Sequence, residues 1–343
     1  MVETQSPVDQ KGQSARGLFD WERNKRALYK RSWILLWAAC ICTATGFLGR
    51  WWLGFELTSH FRMQYFLLLL VAVPFLAWRR RWTALGTATA ALLVNGAVIL
   101  PFYFHPVNTV ADTRGETLRI LSANVHTSNT RYDRLLDLIK KEDPDIIVLN
   151  EINAEWNEAL ASLEETYRYN KRVPRPDNFG IAIYSRFLFR KAEIVEFGEG
   201  YVPPTIIAEV QKGEAVFNVV ATHPLPPIGP WYYARRNSQL ASLAEYISLI
   251  DRPVVMAGDL NMSVWSHYYR KFLAGSGLKD ARQGFGVYPS WPTVLPFLYI
   301  PIDHCFCSRE VTVVKYRTGA RIGSDHLPVI VDLVIPLGKQ PAG

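Results

Sequence analysis

At 343 residues, with 49% hydrophobic composition and 11 Trp, the chain is too apolar for a disordered protein and more apolar than an ordinary soluble enzyme. Its formal charge of +7 sits at one end: residues 1–111 hold 12 Lys and Arg against 5 Asp and Glu, whereas the rest holds 26 of each. The neutral two-thirds therefore lacks the bulk positive charge on which a non-specific nucleic-acid binder depends.

In chain order, residues 1–31 read as a tail that becomes basic at Arg23, Lys25, Arg26, Lys30 and Arg31. A transmembrane region over 32–104 follows, with about three transmembrane helices at 32–49, 63–78 and 83–104. A span needs about 20 apolar residues. The first and third segments have that length; the second, which contains Pro74, gains it by extension through Phe61 with Arg62 snorkelling to the interface. Trp33, Trp37, Trp51, Trp52, Trp78 and Trp82 lie at or near the segment edges, as an aromatic belt does. The tail is basic and Arg79-Arg80-Arg81 separates the second and third segments, while only Arg50 and Arg62 separate the first two. The positive-inside rule then makes the tail and the triple Arg cytoplasmic. Three spans deliver everything after Phe104 to the other side, giving an integral protein of the cell inner membrane with an extracytoplasmic C-terminal domain. Without the second span that domain faces the cytoplasm.

Cys40 and Cys42 fall in the first span, and Cys305 and Cys307 are two apart on an expected strand, a poor geometry for a mutual disulfide. Residues 105–116 are a polar linker, 117–336 the globular domain and 337–343 a short tail. Apolar runs bounded by Gly, Pro, Asn or Asp predict strands at 117–125, 145–149, 180–185, 192–197, 205–210, 215–221, 254–259, 302–307, 311–316 and 328–334. Helical spacing marks 131–141, 154–163, 232–250 and 264–274. Strands alternate with helices early and pair later, which predicts an α/β fold of two packed sheets with helices outside.

Polar groups recur at the strand ends: Asn124, Glu151, His223, Asp259 with Asn261, Asp303, and Asp325 with His326. Asp259 and Asn261 are two apart and share a side if the strand runs through both. Each group alone also suits a turn or a helix start; their recurrence at strand ends points to one site. Carboxylates and amides suit Mg²⁺ or Mn²⁺, hard cations that take oxygen ligands, and a His paired with an Asp suits a charged phosphate. The chemistry that fits is metal-assisted hydrolysis of a phosphate ester.

Ser-Ala-Asn124-Val, Leu-Asn-Glu151, Gly180-Ile-Ala-Ile-Tyr-Ser185-Arg186, Thr222-His223-Pro, Gly258-Asp259-Leu-Asn261 and Gly323-Ser324-Asp325-His326 occur in this order. The series resembles the endonuclease/exonuclease/phosphatase superfamily, which includes pancreatic-type deoxyribonuclease, abasic-site endonucleases, inositol-polyphosphate 5-phosphatases and bacterial sphingomyelinases. The resemblance covers roughly residues 118–333. It implies a four-layer α-β-β-α sandwich of two mixed sheets with the site at one end. It also implies Glu151 as principal metal ligand with Asn124 and Asp325 close by, Asp259 orienting or deprotonating the attacking water, and Asn261 holding the phosphate or that water. His326, oriented by Asp303, would contact the phosphate. His223 would be a second phosphate contact or the acid for the leaving group, and no carboxylate partner for it is evident in sequence.

The substrate stays open between a phospholipid-like ester, nucleic acid and a small molecule, with a phosphodiester preferred. Arg235 and Arg236 are candidate phosphate contacts, and with Lys171, Arg172 and Arg175 they could form a local basic patch. Trp231, Tyr232, Tyr233, Trp291, Phe297 and Tyr299, in loops 224–233 and 284–299, suit stacking on bases or insertion into a membrane interface. A non-catalytic membrane receptor or scaffold that keeps the fold is the alternative of another class.

Overall fold

A computed structural model describes residues 9–104, 114–198 and 200–337. The start of the expected tail (1–8), most of the expected linker (105–113) and residues 338–343 lie outside the described residues. Four helices come first: α1 (Asp9–Thr45), α2 (Leu53–Ser59), α3 (Arg62–Trp78) and α4 (Trp82–Ile99). Arg23–Leu48 and Trp82–Phe102 are long and apolar enough to cross a membrane, and α2 with α3 makes a third such element if the 60° bend between them belongs to one broken span. Ile34, Ile41, Leu67, Val71, Phe75 and Leu93 point outward from these helices and are exposed. An apolar surface of this kind suits lipid rather than water.

Arg62 does not snorkel. It is buried, its Nη1 donates to the Thr43 carbonyl at 2.8 Å and lies 3.4 Å from Asn95 Oδ1, and its guanidinium stacks on Phe47. The break before α3 turns the side chain inward, where acceptors on α1 and α4 meet its Nη1. The Arg62 charge thus ties three helices together, and the segment before it folds separately as α2.

Apolar side chains alternating with period two decide the rest. In β1 (Gly115–Asn124), Leu118 and Ile120 face one core while Leu121 and Ala123 face another. The same alternation runs through β2 (Ile146–Asn150), β4 (Ile181–Ser185), β8 (Val254–Asp259) and β10 (Asp303–Cys307). Strands apolar on both faces must be covered on both faces. One sheet has the order β11-β12-β1-β2-β4-β3 and the other β5-β6-β7-β8-β10-β9. The remaining strands are β3 (Tyr169–Val173), β5 (Leu188–Val195), β6 (Thr205–Lys212), β7 (Ala215–Thr222), β9 (Lys279–Asp280), β11 (Thr312–Thr318) and β12 (Val329–Pro336). Their inner faces share one core, in which Cys305 and Cys307 are packed.

Helices α5 (Tyr132–Glu142) and α6 (Ala154–Ala159) cover the first sheet, and α7 (Pro230–Ser248) and α8 (His267–Ser276) the second. The parallel pairs β1–β2 and β7–β8 are the crossovers that α5 and α7 bridge. The result is the four-layer α-β-β-α sandwich.

The N-terminal helices are fastened to the second sheet's side. Met63, Phe66, Val98, Ile99 and Phe102 join the core under α7 and α8. Tyr233 Oη donates to the Gly49 carbonyl at 2.6 Å, Trp265 Nε1 to Val98 at 3.2 Å and Gln283 Nε2 to Pro101 at 2.8 Å. All these contacts lie at the end of the bundle away from Arg79–Arg81. At their centre Glu56 of α2 and Arg236 of α7, both 0% exposed, approach to 3.4 Å, and Ser266 Oγ donates to the same carboxylate.

Removing one partner of a buried ion pair strands the other charge. Glu56→Ala is therefore expected to destabilise the full-length protein in detergent by about 3–5 kcal/mol. Glu56→Leu combined with Arg236→Met should recover most of that loss, because the pair is replaced by apolar volume. Denaturant unfolding of the three proteins measures both values, and single and double variants of equal stability would contradict the pairing.

Candidate active site

The seam between the sheets ends in polar groups because the inward phase of the strands continues to their last residues. Ile120, Ala221, Ala257 and Cys305 fill the seam, and the same alternation brings Asn124, His223, Asp259 and Asp303 to its end. Asp303 pairs in register with Asp259, so two strands bring their carboxylates to one place. Asn150, fully buried, bridges the sheets: its Oδ1 accepts the Asp259 N–H at 3.0 Å and its Nδ2 donates to the Thr222 carbonyl at 3.5 Å. Gly258 allows this approach. A Cβ there would lie 2.1 Å from the Thr222 oxygen, and its φ of +150° disfavours any side chain.

Asp259 is the hub. Asn124 Nδ2 donates to its Oδ2 at 3.1 Å and to Glu151 Oε1 at 2.9 Å. Glu151 has a left-handed backbone, φ +65°, and the Thr127 N–H donates to its Oε2 at 3.2 Å. The strand ends at Asp259 and does not run on to Asn261. Asp259 Oδ1 accepts the Asn261 N–H at 2.9 Å, and Asn261 has φ +52°. A side-chain turn, rather than strand alternation, therefore aims Asn261, whose Nδ2 donates to the Pro224 carbonyl at 2.9 Å and lies 3.3 Å from His223 Nε2.

Two imidazoles flank the hub. His326 Nδ1 lies 2.8 Å from Asp303 Oδ2 and its Nε2 3.6 Å from Asp259 Oδ2. Burial works against its charge, but Asp303 and Asp259 outweigh burial and hold the His326 pKa up at about 10. His223 Nε2 lies 3.5 Å from Asp259 Oδ2, so Asp259 is the carboxylate partner that the sequence did not reveal. There too burial opposes and Asp259, with Glu151, raises the pKa. Burial likewise opposes the Asp259 charge, and His326, His223 and the Asn261 N–H hold its carboxyl well below the usual carboxylate range. His223 Nδ1 is buried with no partner among the described residues.

These groups line a pocket of about 680 Å³ with Glu151, Asn261 and Asp325. Asp325 Oδ2 accepts from Trp291 Nε1 at 2.9 Å, and its Oδ1 is buried without a partner among the described residues. Arg235 and Arg236 do not line the pocket. Arg236 is turned into Glu56, and Arg235 stacks on Trp231. Asp177, also in the lining, is neutralised by Arg175 at 2.5 Å and by Tyr201 Oη at 2.7 Å.

Sequence reasoning missed Asn150, Thr127 and, from the N-terminal helices, Leu57, His60 and Phe61, the last three of which line the same pocket. The signal for the last group was Glu56, an acidic residue in an apolar stretch that had to find a partner.

Asp259, Asp303 and His326 offer ligand atoms within 4.8 Å of one another, but these atoms are already engaged with one another. Asp325 Oδ1, without a partner among the described residues, and the Glu151 carboxylate also line the pocket, and both are oxygen donors of the kind a hard cation takes.

The endonuclease/exonuclease/phosphatase family model matches residues 121–326. No curated protein matches the chain. Among solved structures, the chain is similar to an endonuclease/exonuclease/phosphatase from Beutenbergia cavernae at 22% identity, with a TM-score of 0.52, over 64% of this chain and 72% of that one. D. rerio TDP2 complexed with single-strand DNA product matches at 19% identity and TM-score 0.53, over 64% of this chain and 99% of that one. The human Nocturnin catalytic domain with bound sulfate matches at 18% and 0.54, over 65% and 97%.

A base whose folded pKa is raised stabilises the fold below its unfolded pKa, and the effect is lost as pH rises through the folded value. For His326 the window runs from about 6.5, the unperturbed value, to about 10. The excess melting temperature of wild type over His326→Gln should be largest below that window and shrink across it. Calorimetric scans of both proteins at stepped pH measure it; an excess that grows with pH would contradict the assignment of charge.

Proposed function

This chain belongs to the endonuclease/exonuclease/phosphatase family, and on that premise we propose that it is a membrane-anchored, divalent-metal-dependent hydrolase of phosphate esters, acting as a phosphodiesterase. The observation that carries the reading is the pair of buried imidazoles set against Asp259 at the end of the seam, where the facing carboxylates favour their charged forms. Asp259 and Asp303 stand opposite the imidazoles as counter-charges. Glu151 and Asp325 are then left to repel an anionic phosphate unless a cation lies between them and it. Glu151 and Asp325, with Asn124 beside them, would hold Mg²⁺ or Mn²⁺. Bound there, the cation would polarise the phosphoryl oxygen and stabilise the leaving oxygen.

The chain's own groups supply the remainder. The Asp259 carboxylate, held ionised by its neighbours, orients the attacking water by accepting its hydrogen bond. His326, kept charged and aimed by Asp303, donates to a phosphoryl oxygen. His223, whose charged form Asp259 favours, gives its proton to the leaving oxygen. Asn261, set by its turn, fixes the phosphate or the water.

The helices that can span a membrane, and the fastening of the domain to the bundle end opposite Arg79–Arg81, support an integral inner-membrane protein with an extracytoplasmic site. A nucleic-acid substrate is the second reading, favoured by the single-strand DNA product in D. rerio TDP2. Against it, three of the five cations of a basic patch are paired with carboxylates: Arg172 with Glu164 at 2.8 Å, Arg175 with Asp177 and Arg236 with Glu56.

The test is hydrolysis of a chromogenic aryl phosphodiester by the full-length protein in detergent. Activity is expected to require Mg²⁺ or Mn²⁺, to vanish with chelator, and to fall about 10²–10⁴-fold in Asp259→Ala or His326→Ala. Glu151→Gln should raise the Mg²⁺ concentration for half-activity by at least about tenfold. Chelator-resistant turnover, or full turnover in Asp259→Ala, would refute the proposal.

A further inference from the structure

Resting on that reading, we infer that the membrane part completes the active-site pocket and that the pocket mouth meets the bilayer, so that the substrate is an amphiphilic phosphoester drawn from the leaflet. Leu57, His60 and Phe61, at the bend between α2 and α3, line the same pocket as His223, Asp259 and His326. The wall they begin is continued by Ile228 and Ile300. A small water-soluble ester has no use for such a wall; an alkyl or acyl chain next to its phosphate does.

The mouth lies where the helices leave the domain. On one side Gln64 Nε2, in the first turn of α3, donates to the Tyr299 carbonyl at 2.8 Å, which fastens the 291–299 loop to the start of a spanning element. On the other, Tyr233 Oη, in the first turn of α7, donates to the Gly49 carbonyl just past α1, which fastens the start of α7 to the end of a span. The 291–299 loop and the entry to α7 present exposed apolar side chains: Val294 is 72% exposed, Phe297 70%, Ile228 74% and Trp231 51%. Apolar and aromatic tips beside helix ends match the composition of a membrane interface. The contact surface is thus continuous with the helices that anchor the chain. An amphiphile can keep its tail in the leaflet while its phosphate reaches Asp259 and His326.

The experiment uses full-length protein in lipid nanodiscs with three probes: a water-soluble aryl phosphodiester, the same ester bearing one long alkyl chain and embedded in the disc, and a single-stranded oligonucleotide. The alkyl ester is expected to be cleaved with at least about tenfold higher kcat/KM than the soluble ester. Val294→Ser with Phe297→Ser should lower the ratio of embedded to soluble turnover severalfold, through apparent KM rather than kcat. Leu57→Gln should lower it without changing metal dependence. Equal kcat/KM on both esters, preference for the oligonucleotide, or a ratio unmoved by these variants would overturn the inference while leaving the hydrolase reading intact. Failure to cleave any of the three would refute both.

Discussion

The structure depends on a buried carboxylate. Taking the Asp259 charge out of water costs several kcal/mol unless partners replace the lost hydration. Asn124, Asn261, His223 and His326 do so, and they come from both sheets. Two β-sheets packed face to face share an apolar seam that cannot itself stabilise a charge. The charge is confined to the seam's end, where strand phase delivers polar residues and where Asn150 and Gly258 let the sheets close. The interaction is reciprocal. The two imidazoles favour the ionised form of Asp259, and Asp259 and Asp303 favour the charged forms of the imidazoles. The same arrangement that stabilises this charge in the fold leaves two imidazoles at the pocket.

A second buried charge joins the two halves of the chain. The Arg236 guanidinium reaches Glu56 in the N-terminal helices and also donates to the Asn261 carbonyl at 2.7 Å. Asn261 holds a left-handed conformation in the turn whose N–H is bound by Asp259. The turn that aims an active-site amide therefore shares a cation with the helix that walls the pocket. Neither can shift by a large fraction of an ångström without stretching a buried charged hydrogen bond, whose loss is costly in a low-dielectric setting.

Sequence disclosed what alternation and short spacing encode. The strands that carry the site are apolar on both faces, so their ends, and with them Asn124, Glu151, Asp259 and Asp303, could be placed. β3 could not: all five of its residues are half-buried at a sheet edge, and Tyr169-Asn170-Lys171-Arg172 has no apolar period. Asn261 was assigned its direction by extending a strand that stops two residues earlier, because an Asx turn and a strand end look alike in one dimension. Arg236 looked like a solvated or phosphate-binding charge because its partner, Glu56, lies 180 residues away. Arg62 looked like an interfacial cation because Thr43 and Asn95 meet it only once three helices pack. Each failure concerns a polar group whose partner is distant in sequence, which periodicity cannot report.

The charge distribution also bears on how such a site meets its substrate. An enzyme that must capture an anionic ester from bulk water gains encounter rate from unpaired cations around the pocket, at the cost of salt sensitivity. This domain has equal numbers of acidic and basic residues, and Arg175 and Arg236 are tied to carboxylates. Anchoring offers another means to the same end. A site held at a surface sees only substrate confined to that surface, and its effective concentration is set by geometry rather than by long-range attraction. A neutral domain with an apolar rim loses little on a surface and much in solution, so the same composition that weakens the case for steering strengthens the case for confinement.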